Sequence, residues 1–233
     1  MPIRERVSLY NRYRISRVGT VPPFRTYYLI MEGTNTEPTY FRLLEKELIR
    51  RRIRNNIAIV YLERTANDRG SNTPRQLFNF LQTFKRNKND EDGVYFLVFD
   101  RDSFKNHSDP KTAYLNFLKS IEGSGIRIIV TSPCFEIWLL LHRKNSYREL
   151  ILPNANSLFR NVRVSQSYTY ISKMVFDVFG FNPKSEIPEG FLKNLDTALG
   201  EAKNLTSNPL LMATELGENI SEFISEISSD LRY

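Results

Sequence analysis

The chain has 233 residues, 41% of them hydrophobic, and its 33 Lys and Arg against 26 Asp and Glu leave a formal charge of +7 and a pI near 9.5. That is enough apolar sequence for one large domain with a proper core, and a basic balance that suits a polyanionic partner as well as plain solubility. A single cysteine, Cys134, excludes an intrachain disulfide and a thiolate-rich zinc site, and no apolar run approaches the roughly 20 residues a bilayer requires. A soluble, unprocessed protein of the reducing cytoplasm is the expectation.

Residues 1–25 form a basic leader that includes Arg12, Arg14 and Arg17, with Tyr10 and Tyr13 interleaved. Arginine with tyrosine suits phosphate contact and base stacking, and the same composition describes a solvated tail. Residues 27–31 are a short apolar run without alternation, as in a strand covered on both faces, and they end at Glu32-Gly33. A helix follows. Thr34 and Glu37 have capping-box spacing, and Thr36 as the cap puts Pro38 in the first turn, so Glu37 reads as structural. Tyr40, Phe41, Leu43, Leu44 and Leu48 then make the inward stripe of a helix that ends in the basic cluster 50–54.

A second strand over 57–62 leads to a polar loop, 63–72, where Arg64, Asp68 and Arg69 stand at the edge that binds ligands in open α/β sheets. Thr73-Pro74 opens the next helix by the cap-then-proline rule. Val94 to Phe99 is the strongest strand and stops at Asp100-Arg101-Asp102, where carboxylates two residues apart share a side if the backbone stays extended. A helix over 110–121 and a fourth strand over 126–130 complete a βαβαβαβ order, which predicts a parallel sheet with helices on both faces.

Cys134 to His142 reads as a turn into an apolar helix with Trp138, Leu139, Leu140 and Leu141 in the core and His142 as a cap or solvated group. Glu136 lies in its first turn, where the helix dipole favours a carboxylate whatever its function. The stretch 143–190 predicts short helices and loops. Two amphipathic helices, about 191–205 and 210–231, close the chain, the second acidic through Glu215, Glu218, Glu222, Glu226 and Asp230. The organisation expected is a basic arm (1–25), an α/β core of about four parallel strands (26–145) and a mainly helical extension (146–233) able to pack on that core.

Parallel strands deliver their C-terminal ends to one edge, so Glu32, Asp100, Asp102 and Glu136 can converge there. Carboxylates so placed suit Mg²⁺ or Mn²⁺, with Asp100 and Asp102 as ligands and Glu32 as a ligand or general base, for attack on a phosphodiester of RNA or DNA. Arg101 and Lys105 either offset phosphate charge or neutralise the acidic pair. No nucleotide-binding glycine loop or nucleophile elbow competes with this reading. Two others stand beside it: a non-catalytic subunit gripping nucleic acid or an ATPase through the basic leader, and a phosphatase or nucleotidyl-transfer enzyme working on small substrates.

Three blocks carry a resemblance: Ile30-Met31-Glu32-Gly33 with Thr36-Glu37-Pro38-Thr39-Tyr40-Phe41; Val98-Phe99-Asp100-Arg101-Asp102; and Ser132 to His142. Over about residues 25–145 the chain resembles the RloB-like family of bacterial phage-defence proteins, with a looser echo at Asn208-Pro209 and the final helix. That resemblance implies a Toprim-like fold whose glutamate after the first strand and Asp-x-Asp after the third match Glu32, Asp100 and Asp102. It also implies a metal-dependent nuclease working with an AAA-type ATPase partner in abortive infection. The chain departs from the family at Thr131-Ser132-Pro133, where an Asn before the proline is more usual.

Overall fold

A computed structural model describes residues 4–7, 25–51, 57–63 and 73–229. Arg12, Arg14 and Arg17, the loop residues Arg64, Asp68 and Arg69, and the basic residues 52–54 lie outside the described residues.

The strands are β1 (Arg4–Val7), β2 (Arg25–Met31), β3 (Ile57–Glu63), β4 (Val94–Asp100), β5 (Ile126–Ser132) and β6 (Gly217–Glu218). They form one sheet in the order β1-β3-β2-β4-β5-β6. The four central strands run parallel, as the alternating order predicts. The edges differ from expectation, because β1 and β6 pair antiparallel and come from the basic leader and from the stretch that reads as the last helix.

Side-chain alternation sorts the central strands into two cores. Tyr27, Leu29, Met31, Phe96, Val98 and Ile129 face one side; Tyr28, Ile30, Tyr95, Leu97, Phe99 and Val130 face the other. Both sides are covered, which is why these strands are apolar without a break.

Helix α1 (Thr36–Arg50) covers the first face, and α2 (Pro74–Lys88) and α3 (Pro110–Ile121) cover the second. The start of α2 follows local chemistry: Thr73 and Gln76 form a reciprocal capping box ahead of Pro74. The start of α1 does not. Asn35 stands at the cap without a side-chain bond, and the Thr36 hydroxyl donates instead to the Pro183 carbonyl at 2.9 Å. Thr36 thus ties α1 to the C-terminal half of the chain.

That half supplies α4 (Glu136–Leu140), α5 (Ala155–Arg160), α6 (Tyr170–Phe179), α7 (Leu195–Ala202) and α8 (Ile220–Ser229). These helices pack on the same face as α1, while Met212 and Ala213 join the opposite one. Leu158, Ile171, Val175, Phe191, Leu195 and Phe223 share one buried cluster with Tyr27, Phe41 and Phe96, and the Phe223 ring lies 5.0 Å from Phe96 and 6.0 Å from Tyr27. Residues 146–229 and the sheet therefore bury a common core. None of the described helices is long and apolar enough to cross a membrane.

Two residues read as solvent-facing are buried. His142 is 1% exposed and stacks on Phe191 at 4.4 Å, so it is neither a cap nor a solvated group. The expected helix over 210–231 is interrupted by β6, which pairs with β5; Gly217 there lies so close to a neighbouring backbone that a Cβ would stand 2.5 Å from the Thr206 carbonyl oxygen. Glu218 is consequently no member of an acidic helix face. It is 1% exposed and accepts from the Ser221 N–H at 2.9 Å and hydroxyl at 2.6 Å, and burial pushes its pKa up to about 7.

Asn219 continues the sheet with its side chain: Oδ1 accepts from the Val130 N–H at 2.6 Å and Nδ2 donates to the Ile128 carbonyl at 3.1 Å. Asn219→Ala leaves both backbone groups short of a partner and is expected to lower the unfolding free energy by about 2 kcal/mol. Urea unfolding with an unchanged m-value would confirm it; a loss below the error of the titration would count against it.

Candidate functional site

The sheet order reverses between β2 and β4, and open α/β sheets bind ligands in the crevice beyond the strand ends at such a point. Met31 pairs with Val98 and Asp100 with Thr131. Glu32 and Asp100 thus leave adjacent strands at the same level.

Glu32 is positioned by its own backbone, whose N–H donates to the Val98 carbonyl at 3.0 Å. Its carboxylate accepts from the Ser103 hydroxyl at 2.5 Å and weakly from the Asp100 N–H at 3.4 Å. Alternation along β4 turns Asp100 to the face of Phe96 and Val98, where the Thr131 hydroxyl donates to its Oδ1 at 2.6 Å. Burial raises the Asp100 pKa well above the usual carboxylate range, and the charges of Glu37, Glu136 and Glu32 raise it further. Like charges held together out of water disfavour ionisation.

Glu136 opens α4 and is 8% exposed. Glu37, assigned a structural role from its spacing, is 7% exposed. Its pKa is pushed up to about 7, chiefly by burial and then by the charges of Glu136 and Glu32. Glu37, Asp100 and Glu136 line one cavity of about 240 Å³, together with the Gly33 to Thr36 loop, Phe135 and Lys184.

Asp102 does not share that cavity. The strand ends at Asp100 and the chain turns into a 3₁₀ segment over Arg101–Phe104, so the extended backbone that would align the two aspartates is lost. The Asp102 N–H donates to the Pro133 carbonyl at 2.9 Å, and its Oδ2 accepts from Asn161 Nδ2 at 3.2 Å. The charge of Glu136 still reaches it. Its pKa is raised, first by burial.

Arg101 is spent inside the protein: it donates to the Ala213 carbonyl at 3.2 Å and lies 4.7 Å above the Phe159 ring. Lys105 is exposed, 4.0 Å from Asp102. Asn161, Ser103 and Lys184 are site residues that sequence reasoning misses. Asn161 holds φ at +40°, a left-handed turn that Asn tolerates better than most residues, and its Oδ1 accepts from the Ile171 N–H at 3.2 Å. Nothing local to 143–190 announces that Asn161 and Lys184 return to the strand ends.

The donor set is chemically that of a hard divalent cation: carboxylate oxygens from four sequence positions, with repelling charges that a cation would relieve. Among the described residues, however, no three of His, Cys, Asp or Glu stand together as a ready-made cage. Metal binding would have to draw the carboxylates inward. No curated protein and no solved structure matches the chain. The family model for RloB-like proteins matches residues 27–227, a span that also takes in the 143–190 stretch lying outside the recognisable motifs. With a match over nearly the whole described chain, the protein belongs to the RloB-like family.

Proposed function

We propose that this protein is a Mg²⁺- or Mn²⁺-dependent nuclease of Toprim-like type that hydrolyses phosphodiester bonds in RNA or DNA. The observation that carries the proposal is the convergence of Glu32, Glu37, Asp100 and Glu136 at one sheet edge, with mutual repulsion that only protons or a cation can relieve. A divalent ion held by Asp100, Glu136 and Glu32 would supply Lewis-acid stabilisation of the phosphate charge that grows during attack. The chain does the positioning. Thr131 and Ser103 fix the Asp100 and Glu32 carboxylates through their hydroxyls, and Asn161 holds Asp102 beside the centre. The family resemblance supports a role in antiphage defence with an AAA-type ATPase partner.

Lys184 is the cation among the residues lining the cavity, exposed and suited to orient a phosphate as a point charge. Lys184→Ala is expected to raise KM for a cleaved oligonucleotide about tenfold, with a smaller change in kcat. Steady-state kinetics would detect it, and an unchanged KM would remove Lys184 from substrate binding.

The proposal itself is tested by cleavage of total tRNA, single-stranded RNA, plasmid and single-stranded DNA with Mg²⁺ or Mn²⁺, with and without the ATPase partner. Wild-type cleavage that disappears in Asp100→Asn supports it. Equal cleavage by both proteins, or none under any condition, counts against it.

A further inference from the structure

We infer that the β-hairpin over residues 162–170, with Phe176 of α6 beside it, is a stacking platform for the bases of a single-stranded nucleic acid, an inference that rests on the phosphodiester reading above. The hairpin is rooted at the site. Asn161 Nδ2 donates to Asp102 Oδ2 at 3.2 Å while its Oδ1 accepts from the Ile171 N–H at 3.2 Å, so one side chain ties both feet of the hairpin to the acidic centre. Exposed Lys105 approaches the same Asp102 oxygen, at 4.0 Å. By strand rise the hairpin tip stands about 10 Å beyond Asn161, a distance that a strand of a few nucleotides covers.

Its own hydrogen bonds hold the hairpin in shape. The Tyr170 N–H donates to the Val162 carbonyl at 2.9 Å and the Val164 N–H to the Tyr168 carbonyl at 3.0 Å, with Arg163 opposite Thr169. The Arg163 guanidinium closes the turn by donating to the Ser165 and Gln166 carbonyls at 3.2 and 2.7 Å. That pairing sends Val162, Val164 and Tyr168 to one side, where Val162 is 52%, Val164 48% and the neighbouring Phe176 39% exposed. The Tyr168 and Phe176 rings are 5.6 Å apart, and Lys173 Nζ lies 5.7 Å from the centre of Phe176. Apolar surface alone would fit a protein partner equally well. Charge decides between them. Residues 150–176 contain Arg160, Arg163 and Lys173 and no Asp or Glu, and the first acidic residue after them, Asp177, is paired with Lys173. An aromatic pair flanked by cations beside a phosphodiester site matches a polyanion whose every base offers a ring face, and only an unpaired strand has those faces free.

The test is a fluorescence-anisotropy titration of the full chain, in EDTA so that nothing is cleaved, with a labelled single-stranded oligonucleotide and an abasic oligomer of the same length. Wild type is expected to prefer the strand that carries bases. Tyr168→Ala and Phe176→Ala should each cut that preference about fivefold or more, whereas Tyr168→Phe keeps the ring and the preference. Arg160→Ala should weaken both oligomers alike and lower the salt slope by about one. Misfolding or a lost charge contact affects both ligands together, so their ratio reads stacking alone. A preference unchanged in both alanine variants, or a wild type that binds the two oligomers equally, would overturn the inference and leave the phosphodiester reading standing. Should Tyr168→Ala fail to fold, Phe176→Ala decides, since that ring is already 39% exposed. A wild type that binds neither oligomer also overturns the inference, and the cleavage panel then decides the reading by itself. Loss of the preference in the variants, with no cleavage of any substrate by wild type, supports the platform and sinks the nuclease reading alone.

Discussion

Asp100→Asn is expected to abolish cleavage and, without metal at pH 7 to 8, to make the protein more stable than wild type. The two effects share one cause. Asp100 is crowded by Glu37, Glu136 and Glu32 and shielded from water, which raises its pKa. A carboxyl raised in the fold keeps its proton where the unfolded chain has already released it, so stability falls as pH climbs above the unfolded value of 3.8. Asparagine escapes that penalty, and its carbonyl can still accept from the Thr131 hydroxyl. A gain of about 0.5–2 kcal/mol, the range of a single stabilising substitution, or about 1–8 °C in melting temperature for a chain of this size, is expected above neutrality. Adding Mn²⁺ should reverse the ranking by stabilising wild type alone. Thermal melts at pH 5 and 8, with and without Mn²⁺, read all of this. A variant less stable than wild type at pH 8 would show that the carboxylates support the fold rather than strain it.

The second large effect lies in the core. His142 Nδ1 is 3.2 Å from the Trp138 carbonyl, which can only accept, so Nδ1 carries the proton and Nε2 accepts from the Tyr40 hydroxyl at 3.2 Å. Burial lowers the His142 pKa from 6.5 to about 4. Between those values the unfolded chain binds a proton that the native protein refuses, so the stability this residue contributes is present above pH 6.5 and lost as pH falls toward 4. The loss amounts to about 3 kcal/mol. Glu37 and Glu218, with pKa values raised to about 7, work in the opposite sense, since their contribution falls as pH rises from 4.5 to 7. The wild-type profile therefore mixes both signs. The gap in unfolding free energy between wild type and the Tyr40→Phe/His142→Phe double variant isolates the histidine, because a phenylalanine ring at position 142 keeps the stack on Phe191. That gap should shift by about 3 kcal/mol in favour of the variant between pH 7 and pH 4. A gap that does not move with pH would mean that water reaches His142.

Much of the architecture was legible because its signals are local. Apolar runs marked the four central strands within a residue or two, and the cap residue with proline placed the start of α2. Glu32 and Asp100 were legible as neighbouring strand-end carboxylates for a related reason: they are the first acidic positions met as buried strands end. The side to which Asp102 turns was not legible, because a rule for extended backbone fails when the chain turns at once into a 3₁₀ segment. The place of Glu37 on the cavity wall was not legible either. Its spacing from Thr34 fits a cap, and nothing within a few residues says that Glu136 will arrive opposite it.

The sequence by itself determined that this is a mostly parallel α/β protein of the RloB-like family with acidic residues at the strand ends. Burial on both faces and short-range backbone chemistry leave their pattern within a few residues of where they act. Only the tertiary structure decided which carboxylates face one cavity, that Asp102 turns to Asn161, that Gly33 lies beneath Glu37, and that Lys184 completes the wall. Those outcomes depend on strand order and on where the C-terminal half packs. Contacts between residues so far apart in the chain leave no local trace for a reader of one sequence to find.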